Sequence, residues 1–176
     1  TMVPAWFVSE ALGAKVTWDG ATSTVWISTT QAPATTGQKN ALETAKRYIK
    51  YSPFSRKGLI SQLEYEKYST EDATFAADNC GADWKQQAVL SAKRYISYSA
   101  FSCSGLIDQL EYEGYTHEQA VYGTDNCEAN WDAEAVEAAA KYLKYTSFSR
   151  DSLIDQLEFD GFTHEQAVHG AEANGY

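Results

Sequence analysis

The segment Gly105–Thr116 reads GLIDQLEYEGYT, and close copies of it stand 47 residues away on either side. The earlier copy is GLISQLEYEKYS at Gly58–Ser69, and the later copy is SLIDQLEFDGFT at Ser152–Thr163. Strings this similar at a fixed period indicate internal duplication, which is the sequence signature of a repeat architecture. The chain of 176 residues therefore contains three tandem units, which we place at residues 39–84, 85–131 and 132–176.

Each unit predicts three short helices. In the second unit Ala88, Ala92 and Tyr95 fall at helical spacing and give the first helix one apolar face. Ser102 and Thr116 stand where N-caps are needed, so the second and third helices are expected to begin there. Two helices joined by a tight turn form a helix-turn-helix-like shape. We therefore predict a mainly α fold of three tandem three-helix repeats.

The turn between the second and third helices requires a residue that ends a helix. Gly114 and Gly161 occupy this position in the last two units, and glycine adopts the left-handed C′ conformation at little cost. The first unit has Lys67 there instead. We expect its turn to be the more strained of the three.

The first 38 residues follow a different pattern. The segment Pro4–Leu12 predicts a short amphipathic helix, and alternating residues over 14–19 and 22–27 predict a β-hairpin around an Asp-Gly pair. We assign residues 1–28 to part of a larger α+β domain. Residues 29–38, rich in Thr, Ala and Gln, are assigned to a linker.

The net charge of −10 is concentrated in the last two units. Residues 39–84 have seven basic and seven acidic side chains, residues 85–131 have three and six, and residues 132–176 have three and nine. Nucleic acid binding needs cations at phosphates and base edges, yet the third helices offer Glu118 and Glu165 there. The charge therefore disfavours nucleic acid as a partner, and it suits either solubility or a basic protein partner.

No constellation of residues predicts catalysis, a metal or a cofactor. His117, His164 and His169 do not converge at the spacing of a zinc site. The acidic pairs of the second helices are typical of the solvated face of an amphipathic helix rather than of a glycosidase. We predict that the chain is not an enzyme.

The three cysteines give no clear disulfide framework. Cys80 and Cys127 occupy equivalent positions in successive units, and such positions are expected to lie beyond the ~7 Å limit for a disulfide. A bridge from Cys103 to either neighbour stays open.

Acids and aromatics recur together on the second helices of the last two units, which makes them a candidate protein-binding surface. Its residues are Asp108, Glu111, Tyr112, Glu113, Asp155, Glu158, Phe159 and Asp160. The alternative is that the aromatic members pack between adjacent repeats. We favour packing, because repeat arrays bury faces against their neighbours.

The pattern SFSRDSLIDQLEFDGFTHEQAVHG at Ser147–Gly170 and its two sister copies resemble the host cell surface-exposed lipoprotein (Ltp) family, over about residues 39–176. This resemblance implies export by Gram-positive bacteria or their phages and helix-turn-helix-like domains. One family role is superinfection exclusion, in which DNA entry from an incoming phage is blocked. Met2–Ser28 resembles the C-terminal half of the copper amine oxidase N-terminal-like (stalk) domain, without any of that enzyme's catalytic machinery.

The resemblance and the charge together predict a non-enzymatic interaction protein that is extracellular or on the cell surface. Its partner would be a basic phage injection component. Membrane attachment would need an anchor outside this sequence, and the sequence favours no oligomeric state. The alternative function is a cell-wall-associated structural or adhesive repeat module.

Overall fold

The computed structural model describes residues 15–28 and 34–176, which fall into two compact units divided after Thr35. The first unit contains two antiparallel strands, β1 (Lys15–Asp19) and β2 (Thr24–Ser28), with Asp19 opposite Thr24. The second strand begins two residues later than predicted. The reason is local, because Asp19 Oδ1 accepts the Ala21 amide at 3.0 Å and holds the chain in a four-residue turn. The helix predicted at Pro4–Leu12 lies outside the described residues.

Residues 36–176 are built from helices alone, and the predicted mainly α fold of three tandem repeats is confirmed. The helices are α1 (Thr36–Tyr51), α2 (Arg56–Tyr65), α3 (Thr70–Asn79), α4 (Trp84–Ile96), α5 (Cys103–Tyr112), α6 (His117–Asp125), α7 (Trp131–Tyr145), α8 (Arg150–Phe159) and α9 (His164–Ala173). Repeat 1 comprises α1–α3, repeat 2 comprises α4–α6 and repeat 3 comprises α7–α9. Residues 36–38, which the sequence assigned to a linker, are helical.

Local side-chain caps set the helix boundaries. Ser102 has extended backbone, and its Oγ accepts the Gly105 amide at 3.0 Å to begin α5. Thr116 and Gln119 form a capping box at the start of α6, which satisfies two amides that lack intrahelical acceptors. The equivalent residues cap repeat 3, so the predicted starts of the second and third helices are confirmed.

The turn after each second helix is left-handed, as predicted. The backbone φ is +91° at Gly114, +90° at Gly161 and +73° at Lys67. A non-glycine residue in this region costs roughly 1–2 kcal/mol, because its Cβ crowds the following carbonyl. The prediction that the first turn is the strained one is confirmed.

Each repeat has a small hydrophobic core of its own. The third helix packs against both the first and the second, while the first and second make few contacts with each other. Two fully buried leucines anchor each core, and alanines line the close approach of the first and third helices. Burying a leucine stabilises by roughly 1.5–3 kcal/mol, so two per repeat leave a module that depends on its neighbours.

The cysteines are free thiols in the structure. Cys80 and Cys127 are buried in successive cores, and each thiol donates to a carbonyl within its own repeat, at 3.3 and 3.1 Å respectively. The expectation that these two do not bridge is confirmed. Cys103 is half-buried at the start of α5, and burial raises the pKa of its thiol.

Candidate binding site at the junctions between repeats

The two junctions between repeats are closed by the same hydrogen bond. Ser55 Oγ donates to the carbonyl of Glu113 at 2.6 Å, and Ser102 Oγ donates to the carbonyl of Asp160 at 2.5 Å. Both serines are almost fully buried, and each also caps its own second helix. One hydroxyl therefore begins a helix in one repeat and satisfies the end of a helix in the next. The sequence predicts only the first of these roles.

A second pair of hydrogen bonds repeats at the junctions with one change of charge. The Phe54 amide donates to Gln87 Oε1 at 3.1 Å, and the Phe101 amide donates to Glu134 Oε2 at the same distance. A neutral amide thus serves the first junction and a carboxylate serves the second. Burial raises the pKa of Glu134, and the nearby Glu137 raises it further, although the Phe101 amide opposes this.

The glycine turns bring the backbones of adjacent repeats together. A Cβ added to Gly114 would lie 3.0 Å from Lys57 Cβ, and one added to Gly161 would overlap Ser104 Oγ and lie 2.9 Å from Ser102 Oγ. Glycine is therefore needed at these two turns by packing as well as by backbone conformation. Lys67 is tolerated because repeat 1 is the first of the three, so no repeat within residues 36–176 packs against its turn.

A groove opens beside each junction, at equivalent positions. The groove between repeats 1 and 2, here called groove 1, has a volume of about 370 Å³ and is lined by Pro53, Ser91, Arg94, Tyr95, Tyr98 and Glu113. The groove between repeats 2 and 3, groove 2, has a volume of about 550 Å³. Its lining comprises Ala100, Phe101, Ser102, Gly105, Ala138, Lys141, Tyr142, Tyr145, Thr146, Asp160 and Phe162.

Repeat 2 has a buried pair of hydroxyls beside groove 1, and repeat 3 lacks this pair beside groove 2. Ser91 Oγ and Tyr115 OH are 2.8 Å apart, and the tyrosine also donates to the Gln87 carbonyl at 3.1 Å. Burial raises the pKa of Tyr115 to about 12. The equivalent residues in repeat 3 are Ala138 and Phe162, so the inner wall of groove 2 has no hydroxyl there.

At the rim of groove 2, the lining residues Tyr142 and Asp160 are bonded to each other and to Gln156, which lies outside the lining. Tyr142 OH donates to Asp160 Oδ2 at 2.7 Å, and Gln156 Nε2 donates to both, at 3.2 Å to the tyrosine and 3.1 Å to the carboxylate. The Tyr142 ring also meets Phe148 edge-on, with centroids 5.7 Å apart. These hydrogen bonds hold the Asp160 carboxylate in one position. In repeat 2 Tyr95 likewise donates to Glu113 at 2.6 Å, and Gln109 Nε2 donates to the tyrosine at 3.1 Å.

Comparison with known proteins identifies the repeats. The model of the host cell surface-exposed lipoprotein family matches residues 36–80, 83–127 and 130–172, which is most of the chain. The chain belongs to this family. The copper amine oxidase N-terminal domain matches residues 1–54 and so overlaps α1, which lies in the helical unit. No curated protein sequence matches the chain.

One solved structure is similar to this Ltp-family chain. It is described as the structure of Ltp, a superinfection exclusion protein from the Streptococcus thermophilus temperate phage TP-J34. The two share 31% sequence identity with a TM-score of 0.51. The match covers 53% of this chain and 98% of the other.

The aromatic residues of the predicted surface do not pack between repeats in this Ltp-family chain, so that expectation is wrong. Tyr112 is 86% exposed and Phe159 is 87% exposed, as the last residues of α5 and α8. At the junctions, serine caps and glycine turns make the close contacts instead. The repeat 1 equivalent, Tyr65, is also exposed.

The acidic members of the predicted surface divide into three kinds. Glu113 and Asp160 belong to the groove rims described above. Glu111 and Glu158 each lie 2.6 Å from the Nδ1 of a histidine at the start of the third helix, His117 and His164 respectively. Asp108 and Asp155 are exposed near the middle of the second helices. The structure therefore spreads these carboxylates along the second helices and their C-terminal ends instead of gathering them in one cleft.

Sequence reasoning missed a second row of exposed aromatics. Tyr51, Tyr98 and Tyr145 are 76%, 79% and 75% exposed near the ends of the first helices, and the last two line the grooves. They recur at the same period of 47 that revealed the repeats, so the signal was present. Lys144 Nζ lies 5.4 Å from the Tyr145 ring centroid.

The described residues hold no group of three or more His, Cys, Asp or Glu side chains arranged to bind a metal ion. Among the same residues no helix is both long enough and apolar enough to cross a membrane. The absence of catalysis stays a prediction.

Proposed function

We propose that this chain is the surface-exposed part of a superinfection-exclusion protein, which binds a protein component of an incoming phage and prevents DNA entry. The observation that carries the proposal is the pair of exposed aromatic rows on an increasingly acidic repeat array. The similar structure is described as a superinfection exclusion protein, which supports the same role.

Two aromatic rings of the second helices leave a large apolar area exposed to water. Tyr112 and Phe159 are almost fully accessible although each could bury a large apolar area, and aromatic side chains dominate the binding energy of many protein interfaces. Their neighbours are carboxylates, which favour encounter with a basic partner and disfavour acidic ones. An aromatic anchor surrounded by one sign of charge suits selective protein binding.

The repeat arrangement strengthens this binding. Equivalent aromatic residues recur in all three repeats, so a partner with several basic segments can engage more than one repeat. The second contact then forms at a high effective concentration, and overall affinity exceeds that of a single site. Blocking by tight binding requires no chemical step, which fits the absence of any predicted catalytic residue.

The test displays the full chain on a phage-sensitive Gram-positive host and scores adsorption, DNA entry and plaque number separately. We expect normal adsorption with loss of DNA entry. Asp155→Lys combined with Glu158→Lys should restore DNA entry, because the acidic face of repeat 3 would become basic. Asp160 is left unchanged since it fixes Tyr142.

A matched control comes from the neutral repeat 1. Phe159→Ser should weaken exclusion while Tyr65→Ser, at the equivalent exposed position, should weaken it much less. Unchanged infection across a panel of phages, with the chain sedimenting with cell walls, would overturn the proposal in favour of a cell-wall structural or adhesive role.

A further inference from the structure

We propose that groove 2 is the pocket for an apolar side chain of the partner, presented on a basic peptide segment. This inference rests on the proposed function for the identity of the partner as a phage protein. The chemistry of the occupant follows from the lining of groove 2 and from the charge of repeat 3.

The size and lining of groove 2 suit an apolar anchor. Its volume of about 550 Å³ lies within the roughly 300–1,000 Å³ typical of pockets that bury a ligand. The inner surface is formed by Ala100, Phe101, Ala138 and Phe162, and the rings of Tyr142 and Tyr145 contribute further apolar area. An apolar side chain that enters this groove is removed from water and contacts carbon atoms on several sides.

Groove 1 has a different lining although its repeats have the same fold, so the fold does not require the apolar lining of groove 2. Repeat 2 places Ser91 and Tyr115 at the positions of Ala138 and Phe162, and it forms the same three-helix unit with its own core. The hydroxyl pair is therefore compatible with the repeat. Its absence from repeat 3 leaves the inner wall of groove 2 without hydroxyl groups at these positions, in the repeat that carries the greatest negative charge.

The charges around groove 2 select the neighbours of the anchor. The Asp160 carboxylate is fixed at the rim by Tyr142 and Gln156, and it offers an acceptor to an incoming ammonium or guanidinium group. Lys141 is the cation in the lining, and its ammonium already donates to Ser99 Oγ at 3.1 Å. Since repeat 3 has nine acidic and three basic residues, a segment with lysine or arginine beside the anchor is complementary.

The test uses two acetylated and amidated pentapeptides as probes, lysine–glycine–phenylalanine–glycine–lysine and the same sequence with alanine in the centre. Binding to the full chain is followed by NMR titration of the amide signals. We expect the phenylalanine peptide to shift signals around Ala138 and Phe162. The alanine peptide should bind at least about tenfold more weakly, because the anchor contributes most of the buried apolar area.

The chain supplies its own matched variants. Ala138→Ser with Phe162→Tyr gives groove 2 the hydroxyl pair of repeat 2, which the fold accommodates, and should weaken the phenylalanine peptide about tenfold. The converse change, Ser91→Ala with Tyr115→Phe, should create a second set of shifted signals at groove 1. Equal affinity of wild type and the Ala138→Ser and Phe162→Tyr variant, or shifts that map away from groove 2, would overturn the inference.

Phage assays on the same variants separate this inference from the proposed function. Loss of peptide binding together with loss of exclusion supports groove 2 as the partner's pocket. Loss of peptide binding with intact exclusion overturns the pocket assignment and leaves the proposed function standing, since exclusion would then act through another surface.

Discussion

Replacing Gly161 with alanine tests whether the glycine turns hold adjacent repeats together. The new Cβ would overlap Ser104 Oγ and approach Ser102 Oγ to 2.9 Å, at the point where Ser102 donates to the Asp160 carbonyl. Repeat 3 would have to move away from repeat 2, or the serine side chains would have to rotate out of their hydrogen bonds. Either response weakens the junction.

The expected cost has two parts that a control can separate. Left-handed backbone at a non-glycine residue costs roughly 1–2 kcal/mol, and overpacking costs typically a further 1–3 kcal/mol. Gly161→Ala should therefore lower the free energy of unfolding by about 2–5 kcal/mol. Gly81 also has positive φ, at +79°, but an added Cβ there would meet nothing within 4 Å. Gly81→Ala should cost only about 1–2 kcal/mol.

Urea unfolding followed by far-ultraviolet circular dichroism measures both variants. Gly161→Ala should also broaden the transition, because a repeat array loses cooperativity when one interface is weakened. Adding Ser104→Gly should recover part of the loss by removing the hydroxyl that the new Cβ overlaps. Equal destabilisation by Gly161→Ala and Gly81→Ala, with no recovery on removing the Ser104 hydroxyl, would refute the packing argument.

Three further predictions use the differences between equivalent residues. Ser102→Ala should cost about 2 kcal/mol and Ser149→Ala about 1 kcal/mol in urea unfolding, because both serines cap helices but only the first also bonds across a junction. A similar cost for both would argue against the junction bond. Since folding raises the pKa of Glu134, the stability that this group contributes is fully present below its ordinary pKa of 4.5 and falls as pH rises through the higher folded value. Glu134→Gln should thus stabilise the chain at pH 7 by less than about 1 kcal/mol and have little effect near pH 3, as pH-dependent urea melts would measure. In repeat 1 Arg56 Nε donates to Asp78 Oδ1 at 2.6 Å, and Cys103 and Asp125 are the equivalent residues of repeat 2. Cys103→Arg should therefore stabilise repeat 2 by about 0.5 kcal/mol through the same ion pair, and an unchanged midpoint of urea unfolding would contradict this.

The repeats, their helices and most of their caps follow from the sequence because they depend on residues close together in the chain. Thr116 caps α6 through an amide three residues away, so the pattern alone identifies it. The same holds for Gly114, whose position after a helical stretch predicts its positive φ. Duplication strengthens each of these predictions. The cap residues recur in all three repeats, and the turn glycine recurs in two, with Lys67 in the first.

The grooves and the junctions depend on contacts between distant residues, and these are not visible in a local pattern. Ser102 reads as a helix cap, yet its hydroxyl also reaches a carbonyl 58 positions along the chain. Tyr112 and Phe159 read as interface residues only if the second helices face the neighbouring repeat. In the fold, the residues that follow these helices, Glu113 and Asp160, contact the preceding repeat, and the two rings are directed to solvent. Periodicity identifies equivalent residues, but it does not say which face of the repeat meets the next one.

Lys67 marks the module that stands first. A module with a Cβ at this turn can stand first, because only the modules that follow another must present a bare backbone to the serines before them. Modules with Gly114 or Gly161 can stand in the interior, so lengthening the protein by copying the second module adds 47 residues and a further junction. A copy of the first module in the interior would bring a lysine Cβ against the residues that begin the second helix of the preceding module. The residue at this turn therefore makes growth of the array by recombination directional at its first module.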